Sequence, residues 1–169
     1  MVELLILRHA KSDWANDAQS DFERPLAKRG LYDAPRMGVW LKSQGLIPDR
    51  ILSSSAVRTV QTTEQVNAAL CLGDDQIEFR PDFYETTPGH LIEVLQGLPR
   101  KLKRVMIIGH NPTLEELLLI LSENPVPAPK DGKLMATATV AVMDVPNWPE
   151  MEPGTAQLRL LVRPKHLPD

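Results

Sequence analysis

The chain has 169 residues, 43% of them hydrophobic and 24% charged, with a formal net charge of -3. That length suits one domain able to bury a sizeable core, and the weak negative charge excludes a global electrostatic field for nucleic acid or an anionic membrane surface. Any anion must therefore be met by a local cluster of Arg and Lys. One cysteine, Cys71, rules out an intrachain disulfide, fits a reducing compartment and reads as a packing thiol.

Residues 2–7, VELLIL, are a short continuous apolar run of buried-strand type. The run carries Glu3, lacks a basic leader and passes straight into Arg8, so it does not read as a secretion signal. No stretch approaches the ~20 apolar residues of a spanning helix, and the expected setting is the cytoplasm. Residues 26–45 predict a helix with Leu31, Ala34, Met37 and Leu41 on one face, ended by Gly45 and kinked or split at Pro35. RILSS follows as a second strand, after which Ser54 or Ser55 caps a helix over 56–70. IEFRP is a third, weaker strand, and 88–97 a helix with Leu91, Val94, Leu95 and Leu98 inward.

RVMIIGH is the clearest buried strand, and NPTLEELLLILSE continues it as a helix with Pro112 in the first turn. NPVPAPKDGK reads as an irregular loop, and TATVAVMDV and AQLRLLV pair as a hairpin. Strands alternating with helices predict an α/β fold, its sheet mainly parallel with antiparallel additions near the C-terminus. There is no internal repeat or linker, so 1–169 is expected to be a single domain.

Ligands of open α/β sheets sit beyond the carboxyl ends of the strands. Arg8 and His9 follow the first strand, and Ser53, Ser54, Ser55 and Arg58 the second. Tyr84 and Glu85 follow the third, and Gly109, His110 and Asn111 the fourth. Two arginines and two helix N-termini suit a tetrahedral oxyanion, and two histidines with a carboxylate supply a nucleophile and proton carriers near neutral pH. No G-x-x-x-x-G-K-S/T loop is present, which argues against nucleotide hydrolysis of that class. Each residue alone has a bland reading: a packed histidine, an exposed helix arginine, a loop acid. A metal site of His9, His110, Asp13 and Glu85 is the other alternative, disfavoured because two arginines beside a divalent cation are electrostatically costly.

The segments LRHAKSDW, SSAVRTVQT, YE and IIGHNP, in that order, resemble the histidine phosphatase superfamily, and its short SixA-type phosphohistidine phosphatase branch in particular. RPLAKRG resembles the SixA stretch after the first motif. The resemblance implies a three-layer α/β/α sandwich and a metal-independent phosphatase without cofactor. It implies that His9 is the nucleophile, that Arg8, Arg58 and His110 form the phosphate pocket, and that Glu85 stands at the general acid's position. Ser12 and Asn16 lie where relatives can contact phosphate.

On this reading His9 attacks phosphorus while neutral, its other ring nitrogen held by a backbone acceptor. Arg8, Arg58 and a protonated His110 then stabilise the equatorial oxygens. With no segment long enough for a lid, the pocket should be open and admit a phosphohistidine on a partner protein. The alternatives are a small-molecule phosphomonoesterase with the same site and a phosphate-recognition module without turnover. Lys11, Lys28 and Arg29 read as solvated charges, and His90 and His166 as structural or surface residues. Neither the phosphorylated partner nor an oligomeric state is legible.

Overall fold

The computed structural model describes residues 1–14, 17 and 20–168, so Asn16 lies outside the described residues. The strands are β1 (Val2–Arg8), β2 (Arg50–Ser54), β3 (Ile77–Arg80), β4 (Arg104–Gly109), β5 (Val140–Val145) and β6 (Gln157–Val162). The helices are α1 (Lys28–Ser43), α2 (Val57–Leu70), α3 (Pro88–Gln96) and α4 (Thr113–Leu121). The strands form one six-stranded sheet in the order β3-β2-β4-β1-β5-β6. β1 to β4 run parallel, β5 pairs antiparallel with β1, and β6 antiparallel with β5. This is the expected mainly parallel sheet with antiparallel additions at the C-terminal end.

The continuous apolar runs are explained by burial on both faces. Along β1, Leu4 and Ile6 join Leu91 and Leu95 of α3 and Leu114 and Leu117 of α4 in one core. Leu5 and Leu7 join Ala34, Met37 and Leu41 of α1 and Val66 of α2 in another. Helices therefore cover the sheet on both sides, giving the three-layer α/β/α sandwich. Among the described residues no helix is long and apolar enough to cross a membrane.

Three local expectations are corrected. α1 is not split at Pro35 but continues through it; Leu31, whose carbonyl Pro35 leaves without a donor, is on the exposed side, where water can serve it. Leu31 is accordingly not part of the inward face. That face is completed by Gly30 and Gly38, where a Cβ would lie 2.2 Å from the Lys11 carbonyl oxygen and 2.4 Å from that of Val66. Bare backbone at these two positions lets α1 press against the segment after β1 and against α2. Finally, neither Ser54 nor Ser55 is the cap of α2: Ala56 holds that position without a side-chain cap, and Ser54 is diverted to the site.

Candidate active site

The parallel strands end on one rim, and the turns beyond them build a cleft of about 330 Å³ that is lined by Arg8, His9, Ser12, Arg24, Arg58 and His110, with Asp21 and Asn111 at its wall. The four residues expected to form a phosphate site, Arg8, His9, Arg58 and His110, are thus brought together. Ser12 also lines the cleft, its hydroxyl accepting a hydrogen bond from Arg24 Nη1.

His9 is buried and tightly held. Its backbone N–H donates to the Gly109 carbonyl at 3.1 Å, tying the end of β1 to that of β4. Its Nδ1 lies 2.7 Å from the Ala10 carbonyl oxygen. A carbonyl only accepts, so Nδ1 carries the proton and Nε2 keeps its lone pair. The expected backbone acceptor is therefore in place. The Ala10 peptide is fixed in turn: its N–H donates to Thr62 Oγ1 at 3.0 Å, and that hydroxyl donates to the Arg58 carbonyl at 2.7 Å. Burial first, then the positive surroundings of His110, Arg8 and Arg58, pull the His9 pKa down to about 3. The imidazole is neutral at any physiological pH.

His110 follows β4, its ring centroid 5.4 Å from that of His9. Its Nε2 lies 2.9 Å from Ser54 Oγ, which already accepts from the Ala56 N–H at 3.3 Å. Nε2 and the Ser54 hydroxyl thus share a hydrogen bond, while Nδ1 is buried without a protein partner. Burial and the Arg58 charge pull the His110 pKa down to about 4. In the ligand-free cleft a desolvated ring among arginines resists a further positive charge, whereas the expected protonation of His110 concerns a cleft that holds a phosphoryl group.

Three arginines reach the cleft. Arg8 Nη1 donates to the Met135 carbonyl at 3.0 Å, and burial lowers its pKa while Glu115 opposes the shift. Arg58 and Arg24 are both buried and share Asp21, through contacts of 2.7 and 3.0 Å from Arg58 and 3.0 Å from Arg24. In all three guanidinium groups Nε is buried without a partner. Buried donors left unmade are costly, and a tetrahedral oxyanion is the kind of acceptor that would satisfy them.

Glu85 does not line this cleft. It stands exposed on the rim of an adjoining pocket of about 450 Å³, which also reaches Asp21, Arg58 and His110 and has Phe83, Leu91, Ile107 and Leu114 in its walls. Its φ of 53° puts a non-glycine residue in the left-handed region, a strain of about 1 kcal/mol or more held at the rim. The metal alternative is not assembled: among the described residues no group of three or more His, Cys, Asp or Glu side chains is placed to hold an ion. His90 is turned away to Asp82, at 2.6 Å.

Sequence reasoning missed Asp21, gave Arg24 no role within its motif, and missed Met135, whose carbonyl also receives Asn111 Nδ2 at 2.9 Å. Asp21 sits in a loop without periodicity, and two of its partners, Arg58 and Tyr84, are distant in the chain. The Met135 contribution is a backbone atom, to which the side chain gives no clue.

Residues 4–104 match the model of the histidine phosphatase superfamily (branch 1). The phosphohistidine phosphatase SixA of Escherichia coli is 32% identical over 144 residues, covering 82% of this chain and 86% of that protein. An uncharacterised protein of Mycobacterium tuberculosis is 30% identical over 157 residues, covering 90% of this chain and 96% of its own length. Among solved structures, the protein histidine phosphatase SixA complexed with tungstate shares the fold with a TM-score of 0.83 and 26% identity, over 98% of this chain and 99% of that one.

Proposed function

This chain belongs to the histidine phosphatase superfamily and is of the SixA type, and from that premise we propose that it removes the phosphoryl group from a phosphohistidine on a partner protein, through a phosphoryl intermediate on His9. The observation that carries the proposal is the His9 ring itself. It is neutral, proton-fixed by the Ala10 carbonyl, and shares one cleft with three arginines that have unused donors.

In the first step Nε2 of His9 attacks phosphorus in line. The N–P bond forms as the bond to the leaving group breaks, and that bond's electron pair departs with the leaving group. The positive charge this places on the imidazole is stabilised through Nδ1–H and the Ala10 carbonyl. Arg8 and Arg58 oppose the charge on the equatorial oxygens, and His110 donates a ring N–H to them. In the second step water attacks phosphorus, the N–P bond breaks, its pair returns to Nε2, and orthophosphate leaves.

A phosphohistidine protonated on its other ring nitrogen releases a neutral imidazole, whose conjugate acid has a pKa near ~6.5, and so asks little of a general acid. That fits the exposed place of Glu85 on the rim, where it can serve a poorer leaving group. A relative that takes up tungstate, an oxyanion of the same tetrahedral shape, supports phosphate in the cleft.

A second reading, a small-molecule phosphomonoesterase, is favoured by the adjoining pocket, whose volume of about 450 Å³ exceeds the needs of one imidazole. The deciding experiment offers a phosphohistidine protein and a panel of phosphomonoesters, with a chelator present, and traps the acid-labile phosphoryl group. Faster turnover of the phosphohistidine protein, with label on His9, is expected. Preference for one ester would move the substrate to the second reading, and turnover without label on His9 would overturn the intermediate. Labelling of His9 also excludes a recognition module, and loss of activity on chelation would revive the metal alternative.

A further inference from the structure

Asp21 belongs to none of the motifs that define the site, yet four side-chain donors converge on it. Arg58 gives Nη1 to its carbonyl at 2.7 Å and Nη2 to Oδ2 at 3.0 Å, Arg24 gives Nη2 to Oδ1 at 3.0 Å, and the Tyr84 hydroxyl donates to Oδ2 at 2.7 Å. We propose that Asp21 is a positioning residue for phosphoryl transfer, clamping Arg58 and Arg24 at their terminal nitrogens so that both guanidinium groups are held at the cleft for the entering phosphoryl group, and that Arg24 is thereby a third phosphate-binding arginine. The proposal rests on the phosphatase reading of the cleft.

The geometry of a guanidinium group carries the argument. Its five N–H bonds form a rigid planar fork. Each terminal nitrogen of Arg58 commits one of its two N–H bonds to Asp21, which leaves a second N–H on each to meet an oxygen of an oxyanion. Arg24 repeats the pattern, with one N–H of Nη1 committed to Ser12 and one of Nη2 to Asp21. Two buried cations in one cleft would otherwise repel each other, and the shared carboxylate lets them lie side by side.

The same carboxylate holds the Tyr84 ring edge-on to His110, with 5.6 Å between ring centroids. Tyr84 and the two arginines keep the Asp21 carboxyl well below the ordinary carboxylate range, so it stays ionised and has no proton to give. Its part is to position other groups, not to act as an acid.

The test compares wild type, Asp21→Asn and Asp21→Glu. Calorimetric binding of orthophosphate is measured beside kcat, KM and thermal stability. Asn keeps the size but removes the charge and one acceptor; Glu keeps the charge but displaces it by one methylene. The expected result is orthophosphate binding and KM both weakened about tenfold or more in Asp21→Asn, with kcat reduced less and the phosphoryl group still trapped on His9. Asp21→Glu should fall between the two proteins, and if the Asn variant does not fold, Glu makes the same comparison alone.

Orthophosphate bound as tightly as by wild type, or more tightly, would overturn the proposal, since Asp21 would then only brace the loop or compete with the substrate. If wild type binds orthophosphate but releases none from any phosphorylated substrate, the phosphatase reading fails, and the binding comparison still decides the clamp.

Discussion

The cleft and the pocket beside it share Asp21, Arg58, His110 and Asn111, yet they are built from opposite materials. The cleft draws in three arginines and two histidines, of which His9, Arg24 and Arg58 are buried and Arg8 and His110 half-buried. The pocket has aliphatic and aromatic walls, with Glu85 and Glu116 exposed at its lining. Under the proposed function the cleft would oppose negative charge on a small rigid group and the pocket would receive whatever that group is attached to. Phosphate recognition would then rest on donors held from several sides, and leaving-group preference on exposed side chains that can change without disturbing the chemistry.

The comparison breaks most sharply at His9. Replacing His9 with Ala removes the attacking nitrogen and should lower kcat by about 10⁴-fold or more while the arginines still bind orthophosphate. Steady-state turnover and orthophosphate binding on one preparation check both halves, and substantial activity in the variant would end the proposed mechanism. Next in size is Arg58→Lys. Lysine keeps the charge but not the planar fork, so it cannot hold Asp21 with two nitrogens and still offer further N–H bonds to phosphate. A loss of about 10²-fold in kcat/KM is expected for every substrate, because the residue serves the phosphoryl group and not the leaving group. A loss confined to one substrate would place Arg58 in the pocket's role instead.

Much of the cleft was legible because strand ends are legible. The runs at β1 and β4 stop abruptly at Arg8-His9 and Gly109-His110, and a parallel sheet brings such stops to one rim. What could not be read was whatever depends on a distant partner or on backbone alone. Asp21 reaches Arg58 across 37 positions and Tyr84 across 63, and Met135 serves Arg8 through a carbonyl. Leu31 was placed inward because it is large and apolar, whereas close packing of α1 needed the residues with no side chain, Gly30 and Gly38. Nor does the sequence show the burial and the Arg58 charge that depress His110 in the ligand-free cleft.

Glu85→Gln sharpens the pocket's side of the comparison. If Glu85 supplies a proton to the departing group, an alkyl phosphate ester, whose alkoxide leaves poorly, should lose on the order of 10²-fold in kcat. A phosphohistidine substrate should lose only a few-fold, since imidazole leaves readily. Both substrates measured on the same variant give the ratio. Equal losses would mean that Glu85 acts on binding or on the fold of the rim and not on the leaving group.

The smallest effect concerns stability and separates the two regions by pH. His9 and His110 are held near about 3 and about 4 in the folded protein, while in the unfolded chain each titrates near ~6.5. Between those values the unfolded chain binds more protons than the folded one, so stability rises with pH there and falls as the solution is acidified below about 6.5. At pH 5.5 each histidine should cost about 1 kcal/mol relative to pH 7.5. Asp21, whose carboxyl is also depressed, acts only lower, once the pH drops below the ordinary carboxylate range. Urea unfolding at pH 7.5 and 5.5 should therefore show a slope that shrinks when His9 is replaced by Asn, and shrinks further when His110 is replaced as well. Glu116→Gln, at the lining of the adjoining pocket, should leave the slope as it is. An unchanged slope in the double histidine variant would mean that the acid sensitivity arises outside the cleft, and that its buried histidines are not the groups kept neutral against solvent.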